Sequence, residues 1–479
     1  MSCTRQPILT TMELDRQTRA FAFIAIITGA IRVAQVCAGL TMHGDVFWHE
    51  AFGPIILAHG VIHNPVLTYT THRRFVEPEW LFDIILHGFV VLFGPLTGAR
   101  IMTTLLAAVA YTSICLYALR TAGLSVWRIV SVIVIVMVSL TTFVGMHPQE
   151  FGYALWALVL IVSVRARNNH KLLLLLIPLA GIWVNVDGSF LLVLVLLIAE
   201  MELSAVYKVL PGLRKYLPAP LPLRTVVAVI VGVLIVVSAS PYGIVALIRS
   251  QVSASFWPPM RTIGIWSPFA TASVLIVVVV FGALVMSVFG LITRRGGLAP
   301  LAAIAGIIVG MTSTILLPYG LLAAAVAVGS LQGRNAGKRD NRYYVEHLLI
   351  VPIMLAALAL MWGPTMTPQS LAPTEAQSHL PPKSDRIFTT YYWGDWLVYL
   401  HRPAFIYGET FQWVDTPILT EYREMKTLTI NPTPILAKYH IHYALLPRNS
   451  AMRLYLEHAD GWHVAWQNKT TTLLKQGGK

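Results

Sequence analysis

The chain has 479 residues, of which 56% are hydrophobic and only 12% charged, against roughly a quarter charged in soluble domains. Its formal charge is +13, but the basic residues fall in short stretches between apolar runs, which is a signature of membrane topology and excludes nucleic acid as the explanation. Three cysteines, Cys3, Cys37 and Cys115, imply no disulfide framework.

Residues 1–19 carry Arg5, Arg16 and Arg19 and are expected on the cytoplasmic side. The apolar run after them is too long for the core of a cleaved signal and reads as an uncleaved anchor. Runs long enough to cross a ~30 Å hydrocarbon layer predict spans near 20–40, 98–119, 128–146, 151–166, 171–184, 188–203, 224–240, 269–292, 298–312, 314–330 and 346–362. This is an all-α polytopic membrane domain of about eleven spans over 20–362, placed in the plasma (inner) membrane. The basic stretches "RTAGLSVWR", "RARNNHK" and "RNAGKRDNR" then fall inside. A large first outer loop, 42–97, and everything after 363 fall outside.

Within that loop, residues 46–59 predict two short helices hinged at Gly53-Pro54 and stopped at Gly60. Phe47, Trp48, Phe52, Ile55 and Ile56 would face lipid, and His49 and Glu50 polar surroundings. The stretch 77–94 is expected to lie along the outer surface, because counting it as a span would put "RARNNHK" outside. A Pro- and Ser-rich linker, 363–384, leads to a tail, 385–479, that mixes strand-like and amphipathic helical segments. The tail reads as a small extracytoplasmic α/β domain ending in a hairpin that turns at Gln467-Asn468.

The first outer loop collects Asp45, His49, Glu50, Arg73, Arg74, Glu77 and Glu79 beside aromatic side chains. Taken alone, Asp45 suits a helix N-cap, and Glu77 and Glu79 suit a helix start. Asp45 and His49 lie four apart, but no His-x-x-x-His or Cys pair supports a metal site. No metal ligand is assigned from sequence, and a divalent metal is left open as a cofactor. Together, the acids can take a proton from a hydroxyl and the arginines can grip a lipid phosphate. Arg261, between Trp257 and Trp266 in a later outer loop, is a further phosphate candidate. Trp393 and Trp396 in "YYWGDW" read either as a sugar platform or as a packed turn.

The order of these motifs resembles the GT-C superfamily of membrane glycosyltransferases, and within it a bacterial branch that uses polyprenyl-phosphate sugars. "GDVFWHEAFG", "EPEWL", "HPQE", "WVNVDGSF", "SPYG", "IWSPF" and "TYYWGDWLVYL" carry the resemblance across nearly the whole chain. It implies that Asp45 is the catalytic acid of the first loop, joined by Glu79. Trp80 completes the "EW" pair with Glu79, and the residues expected to bind substrate are Trp48, His49, Arg73, Arg74, Trp80, His147, Gln149, Asn185, Asp187, Arg261 and Trp266. The chain departs from the branch at His147, where Arg usually precedes "PQ", and at Asp187, where His is frequent. The expected partners are membrane lipid, a lipid-linked sugar donor, and a glycan, lipid or protein acceptor. The rival readings are a transporter or flippase, for which no inverted repeat is visible, and a non-catalytic scaffold of envelope assembly.

Overall fold

A computed structural model describes residues 7–42, 44–71, 75–121, 126–215, 217–245, 247–248, 274–331, 353–354, 356–357, 372–413, 416–459 and 461–477. In chain order the α-helices are α1 (Pro7–Gly39), α2 (Gly44–His59), α3 (Trp80–Phe93), α4 (Pro95–Thr121), α5 (Val126–Phe143), α6 (Gln149–Ala166), α7 (Leu176–Trp183), α8 (Leu191–Val209) and α9 (Leu223–Ser238). There follow α10 (Val274–Ile292), α11 (Ala299–Thr312), α12 (Leu317–Gly329), α13 (Tyr391–Tyr399), α14 (Ile418–Thr427), α15 (Thr433–Lys438) and α16 (Ala451–Ala459). The strands are β1 (Ile387–Thr389), β2 (Tyr443–Pro447), β3 (Trp462–Gln467) and β4 (Thr471–Gln476).

The chain packs as two compact units. One comprises Met1–Leu40, Arg100–Ser240 and Arg261–Gly363; the other comprises Thr41–Ala99, Pro241–Met260 and Pro364–Lys479. The first outer loop and the tail, which the sequence treats as separate regions, therefore share a unit.

The first unit is helical, and the protein is a multi-pass membrane protein. Six described helical segments, Ala20–Gly39, Pro95–Thr121, Val126–Phe143, Gln149–Ala166, Gly188–Val209 and Val274–Ile292, are long and apolar enough to cross a membrane. The shorter segments His170–Trp183, Leu223–Ser238, Ala299–Thr312 and Thr314–Gly329 coincide with four more of the expected spans. They fall below the ~20 residues of a full crossing, so the count of eleven is not met by length. Most of 346–362 lies outside the described residues. Every residue of α12 is buried. Small side chains let α11 approach it, since a Cβ on Gly306 would stand only 2.7 Å from the Gly320 Cα. Two polar groups inside this unit are bonded to backbone carbonyls: the Tyr111 hydroxyl donates to the Ile26 carbonyl at 2.9 Å and Arg100 Nε to the Leu40 carbonyl at 2.9 Å. Helices α6, α8, α11 and α12 wall an apolar cavity of about 610 Å³, lined by Trp156, Leu196, Leu203, Ala305, Val309 and Tyr319 among others.

The second unit holds a four-stranded sheet in the order β1-β2-β4-β3. β1 pairs parallel with β2, Ile387 opposite Tyr443, so the chain must cross over between them, and α13, α14 and α15 lie in that crossover. β2 and β3 both pair antiparallel with β4, with a bulge between Val464 and Trp466. The terminal hairpin is the one expected. Its turn is held by Asn468 Oδ1, which accepts from the Thr470 and Thr471 N–H groups at 2.9 and 2.7 Å. The two amphipathic tail segments form α14 and α16.

The first-loop stretch corrects the sequence reading in two ways. It is one helix, α2, running through Pro54. A proline forfeits one backbone bond of a helix, and packing against α3 outweighs that here. Nor is it interfacial: Phe47, Trp48, Phe52 and Ile56 are buried within the unit, and so are His49 and Glu50. Gly60 ends α2 at φ +77°, its N–H donating to Ile56 at 2.8 Å, as expected. Helix α3 has 14 residues, about 21 Å at ~1.5 Å per residue, too short to span. Between α2 and α3 the chain is pinned to the tail: Thr68 and Thr70 donate through their hydroxyls to the Ala404 and Phe405 carbonyls, both at 2.9 Å, and Tyr69 to the Ile387 carbonyl at 2.8 Å.

Candidate active site

Asp45 is half-buried in the first turn of α2, not in front of it. There the helix dipole favours a carboxylate. Its neighbour Gly44 leaves no room for a side chain, since a Cβ would stand 2.5 Å from Asp395 Oδ2. Asp395 comes from α13, and its Oδ1 accepts the Gly408 N–H. Trp393 and Trp396 beside it are 2% exposed, so they are packed within helix α13, which replaces the expected turn, and they offer no open sugar platform.

One turn along α2, His49 is almost wholly enclosed. Its Nδ1 lies 2.5 Å from Asp83 Oδ1 and its Nε2 3.6 Å from Glu79 Oε2. The Trp48 ring stacks on it at 3.5 Å between centroids, and the Phe82 edge closes in at 4.7 Å. Asp83 sits one turn into α3 from Glu79, so the two acids share a face. Glu79 directly precedes α3, and its N–H donates to Glu77 Oε1 at 3.1 Å. One residue past His49, Glu50 pairs with His87 Nδ1 at 2.8 Å. From the tail, Glu409 adds a further buried carboxylate whose electrostatic neighbours are Glu77, Glu79, Asp83 and Asp45. Two glycines permit this density. A Cβ on Gly53 would lie 2.6 Å from the Asp83 carbonyl oxygen, and one on Gly408 would lie 2.4 Å from Trp48 Nε1.

So many enclosed acids cannot all ionise. Burial pushes the Glu77 carboxyl up to about 8, its bond from the Glu79 N–H pulling weakly the other way. Burial raises Asp83 and Glu409 well above the usual carboxylate range, and the nearby charges of Glu77 and Glu79 raise both further. Glu50 rises for the same first reason, opposed by His87. Asp395 is raised well above its usual range by burial and then by the charge of Asp45. The cluster can hold protons at neutral pH or share a cation. One donor atom from each of His49, Glu77 and Asp83 lies within 4.8 Å of the others.

The second unit therefore brings together Asp45, Trp48, His49, Glu79 and the half-buried Trp80. His49 is 1% and Trp48 3% exposed, so neither presents an open face to a sugar. Arg73, Arg74, Arg261 and Trp266 lie outside the described residues. His147, Gln149, Asn185 and Asp187 belong to the first unit. There the His147 N–H donates to Glu150 Oε2 at 2.9 Å, ahead of α6, which opens at Gln149. Asn185 bonds the Gly181 carbonyl at 2.8 Å and the Ser240 hydroxyl at 2.9 Å. Asp187 accepts from Trp183 Nε1 at 3.1 Å, the Ser189 N–H at 3.2 Å and the Tyr319 hydroxyl at 3.3 Å. Those two residues build a tight turn between short helices. Asp83, Glu409 and the Glu50–His87 pair were not singled out from sequence. Asp83 had a visible signal, a lone acid inside the apolar "WLFDIILHGF".

The sequence matches no model of a known protein family and no curated protein. Solved structures do resemble it. The archaeal oligosaccharyltransferase AglB from Archaeoglobus fulgidus, in complex with an inhibitory peptide and a dolichol-phosphate, aligns at TM-score 0.57 and 11% identity, over 91% of this chain and 70% of that one. ArnT from Cupriavidus metallidurans bound to undecaprenyl phosphate aligns at TM-score 0.52 and 13% identity, over 96% and 99%. The resemblance to GT-C membrane glycosyltransferases thus holds at the level of the fold.

Proposed function

We propose that this chain is an integral membrane glycosyltransferase that moves a sugar from a polyprenyl-phosphate donor to an envelope glycan, lipid or protein acceptor on the outer face. The observation that carries the reading is a GT-C-type fold with a half-buried carboxylate, Asp45, on the first helix after the first span. Two structures of similar fold contain lipid phosphates, a dolichol-phosphate and undecaprenyl phosphate.

In the proposed reaction the acceptor hydroxyl oxygen attacks the anomeric carbon from the face opposite the lipid phosphate. The new C–O bond forms as the sugar–phosphate bond breaks, inverting the centre. Asp45 takes the hydroxyl proton, and the polyprenyl phosphate leaves with the bonding electrons. Glu79 helps to orient the acceptor, and Arg73, Arg74 or Arg261 would neutralise the leaving phosphate. The apolar cavity of the first unit is of a kind that suits isoprenoid chain.

The test is Asp45→Asn. Asn keeps the shape of Asp and loses only the helix dipole's preference for a carboxylate, about 0.3–1 kcal/mol, so the fold and the binding of undecaprenyl phosphate should survive. Release of polyprenyl phosphate from a panel of synthetic polyprenyl-phosphate sugars should fall by ~10²–10⁴-fold, the usual worth of a general base. An Asn variant with wild-type turnover would show that Asp45 only shapes the helix.

A further inference from the structure

We propose that the apolar cavity walled by α8 and α11 holds one acyl chain of an amine-headed phospholipid, whose ammonium group pairs with Glu202. The site does not rest on the glycosyl-transfer reading.

Leu196, Leu203 and Trp156 form the buried wall of the cavity, while Val195, Leu301 and Val309 line it and are exposed. The cavity therefore opens sideways, through an apolar helix face that meets hydrocarbon in a bilayer. Left empty, its walls forfeit van der Waals contacts. Such walls offer water no partners, so the molecules at the mouth that can restore those contacts are hydrocarbon chains. The volume of about 610 Å³ lies in the ~300–1,000 Å³ range of single-ligand pockets.

Three lining residues carry polar side chains: Trp156, Tyr319 and Glu202. Two of them are already engaged. Trp156 Nε1 donates to the Tyr319 carbonyl at 2.9 Å, and the Tyr319 hydroxyl bonds Ser189 Oγ at 2.7 Å. Glu202 is exposed and has neither an ion pair nor a hydrogen bond among the described residues. Arg167, the cation bound to α8, is taken by Glu200 and the Ala219 carbonyl. The open polar partner on the cavity wall is therefore a carboxylate.

Distance along α8 fits the same occupant. Leu192, at the far end of the lining, precedes Glu202 by ten residues, about 15 Å at ~1.5 Å per residue. A hydrocarbon layer of ~30 Å allots about the same ~15 Å to the chains of each leaflet. With its head at Glu202, a phospholipid chain ends near Leu192. Head-group charge then selects among lipids. A carboxylate attracts an ammonium and repels a head that carries negative charge alone. Phosphatidylethanolamine meets this demand; phosphatidylglycerol and polyprenyl phosphate do not. An isoprenoid chain suits the same walls, and the test separates the two.

The full chain is delipidated in detergent and offered phosphatidylethanolamine, phosphatidylglycerol of the same acyl chains, and undecaprenyl phosphate, with retained lipid read by native mass spectrometry. One phosphatidylethanolamine per chain is expected, held about tenfold more tightly than either competitor, the usual worth of a bond to a charged group. Glu202→Gln should erase that preference, and Glu202→Lys should turn it toward phosphatidylglycerol. Glu202 is exposed, so both variants keep the packing of α8. Ala305→Trp, which fills the mouth without changing charge, should lower retention of both phospholipids. No retained phospholipid, equal retention of the two head groups, or a preference unmoved by Glu202→Lys would overturn the proposal. Undecaprenyl phosphate held more tightly than phosphatidylethanolamine would overturn it too, and would give the cavity to the isoprenoid chain. Retention is read without any sugar transfer, so a chain that fails as a glycosyltransferase can still keep this lipid.

Discussion

Gly53 offers the sharpest test of how packing sets the site. Helices α2 and α3 meet there so closely that a Cβ would lie 2.6 Å from both the Asp83 carbonyl oxygen and the His87 Cβ. Both neighbours are held by the α3 backbone, so neither can swing away as a side-chain tip would. Restoring ordinary contact requires the helices to part by roughly 0.8–1 Å, given van der Waals separations of ~3.5 Å. That shift would stretch the 2.5 Å His49–Asp83 contact to the edge of hydrogen-bonding range. Overpacking of this kind costs about 1–3 kcal/mol. At ~1.4 kcal/mol per tenfold, that is a roughly fivefold to hundredfold larger population of opened forms. Hydrogen exchange read by mass spectrometry on α2 and α3 peptides would report it. Gly88→Ala is the matched control, because nothing lies within 4 Å of its Cβ position. It should gain up to ~1 kcal/mol of helix propensity and slow exchange in α3. If Gly53→Ala exchanged like the wild type while Gly88→Ala gained as expected, the close approach of α2 and α3 would be refuted.

Two further outcomes are expected. Asp395→Asn should flatten part of the pH dependence of stability. Burial and the charge of Asp45 hold the native Asp395 carboxyl well above its unfolded value. The folded state therefore binds the proton more tightly, and the wild type loses stability as pH rises above about 4, near the unfolded value. Melts at pH 4 should match, those at pH 8 should favour the variant, and equal slopes would refute the assignment; Asp45, Tyr391 and Tyr392 face this carboxyl and are unchanged in the comparison. Cysteine labelling from outside should reach positions introduced at the exposed residues of the first loop, 57–60 and 63–64, and of the tail, but not 207–215. Cys37 and Cys115 are buried and should stay silent, and labelling of 207–215 would reverse the predicted topology.

The parts that were legible in the sequence were those written in local pattern. Unbroken apolar length located most membrane helices, and period and turn chemistry located α14, α16 and the Asn468 hairpin. The stop at Gly60 was readable from residue type. The constellation around His49 was not. Its partner Asp83 is 34 residues away, and Glu409 comes from the far end of the chain, with no periodicity linking them. The aromatic residues of α2 misled for a related reason. Phe47, Trp48 and Phe52 look the same whether they enter lipid or a protein interior, and only the position of the tail decides between the two. Pro54 misled because a helix break costs or gains only a few kcal/mol, which tertiary packing outweighs.

The bonds from Thr68 and Thr70 to the 404–405 backbone span more than three hundred residues, 336 in the case of Thr68. During synthesis, at ~5–20 residues per second, the first loop would wait on the order of half a minute before its partner strand exists. Throughout that interval Trp48, Phe52 and a row of carboxylates would stand without the covering of the tail. A nascent or truncated chain is thus recognisable by exposed aromatic surface to any quality-control protease that meets it. The acid cluster is also incomplete until late, because Asp395 and Glu409 reach it only from the last hundred residues.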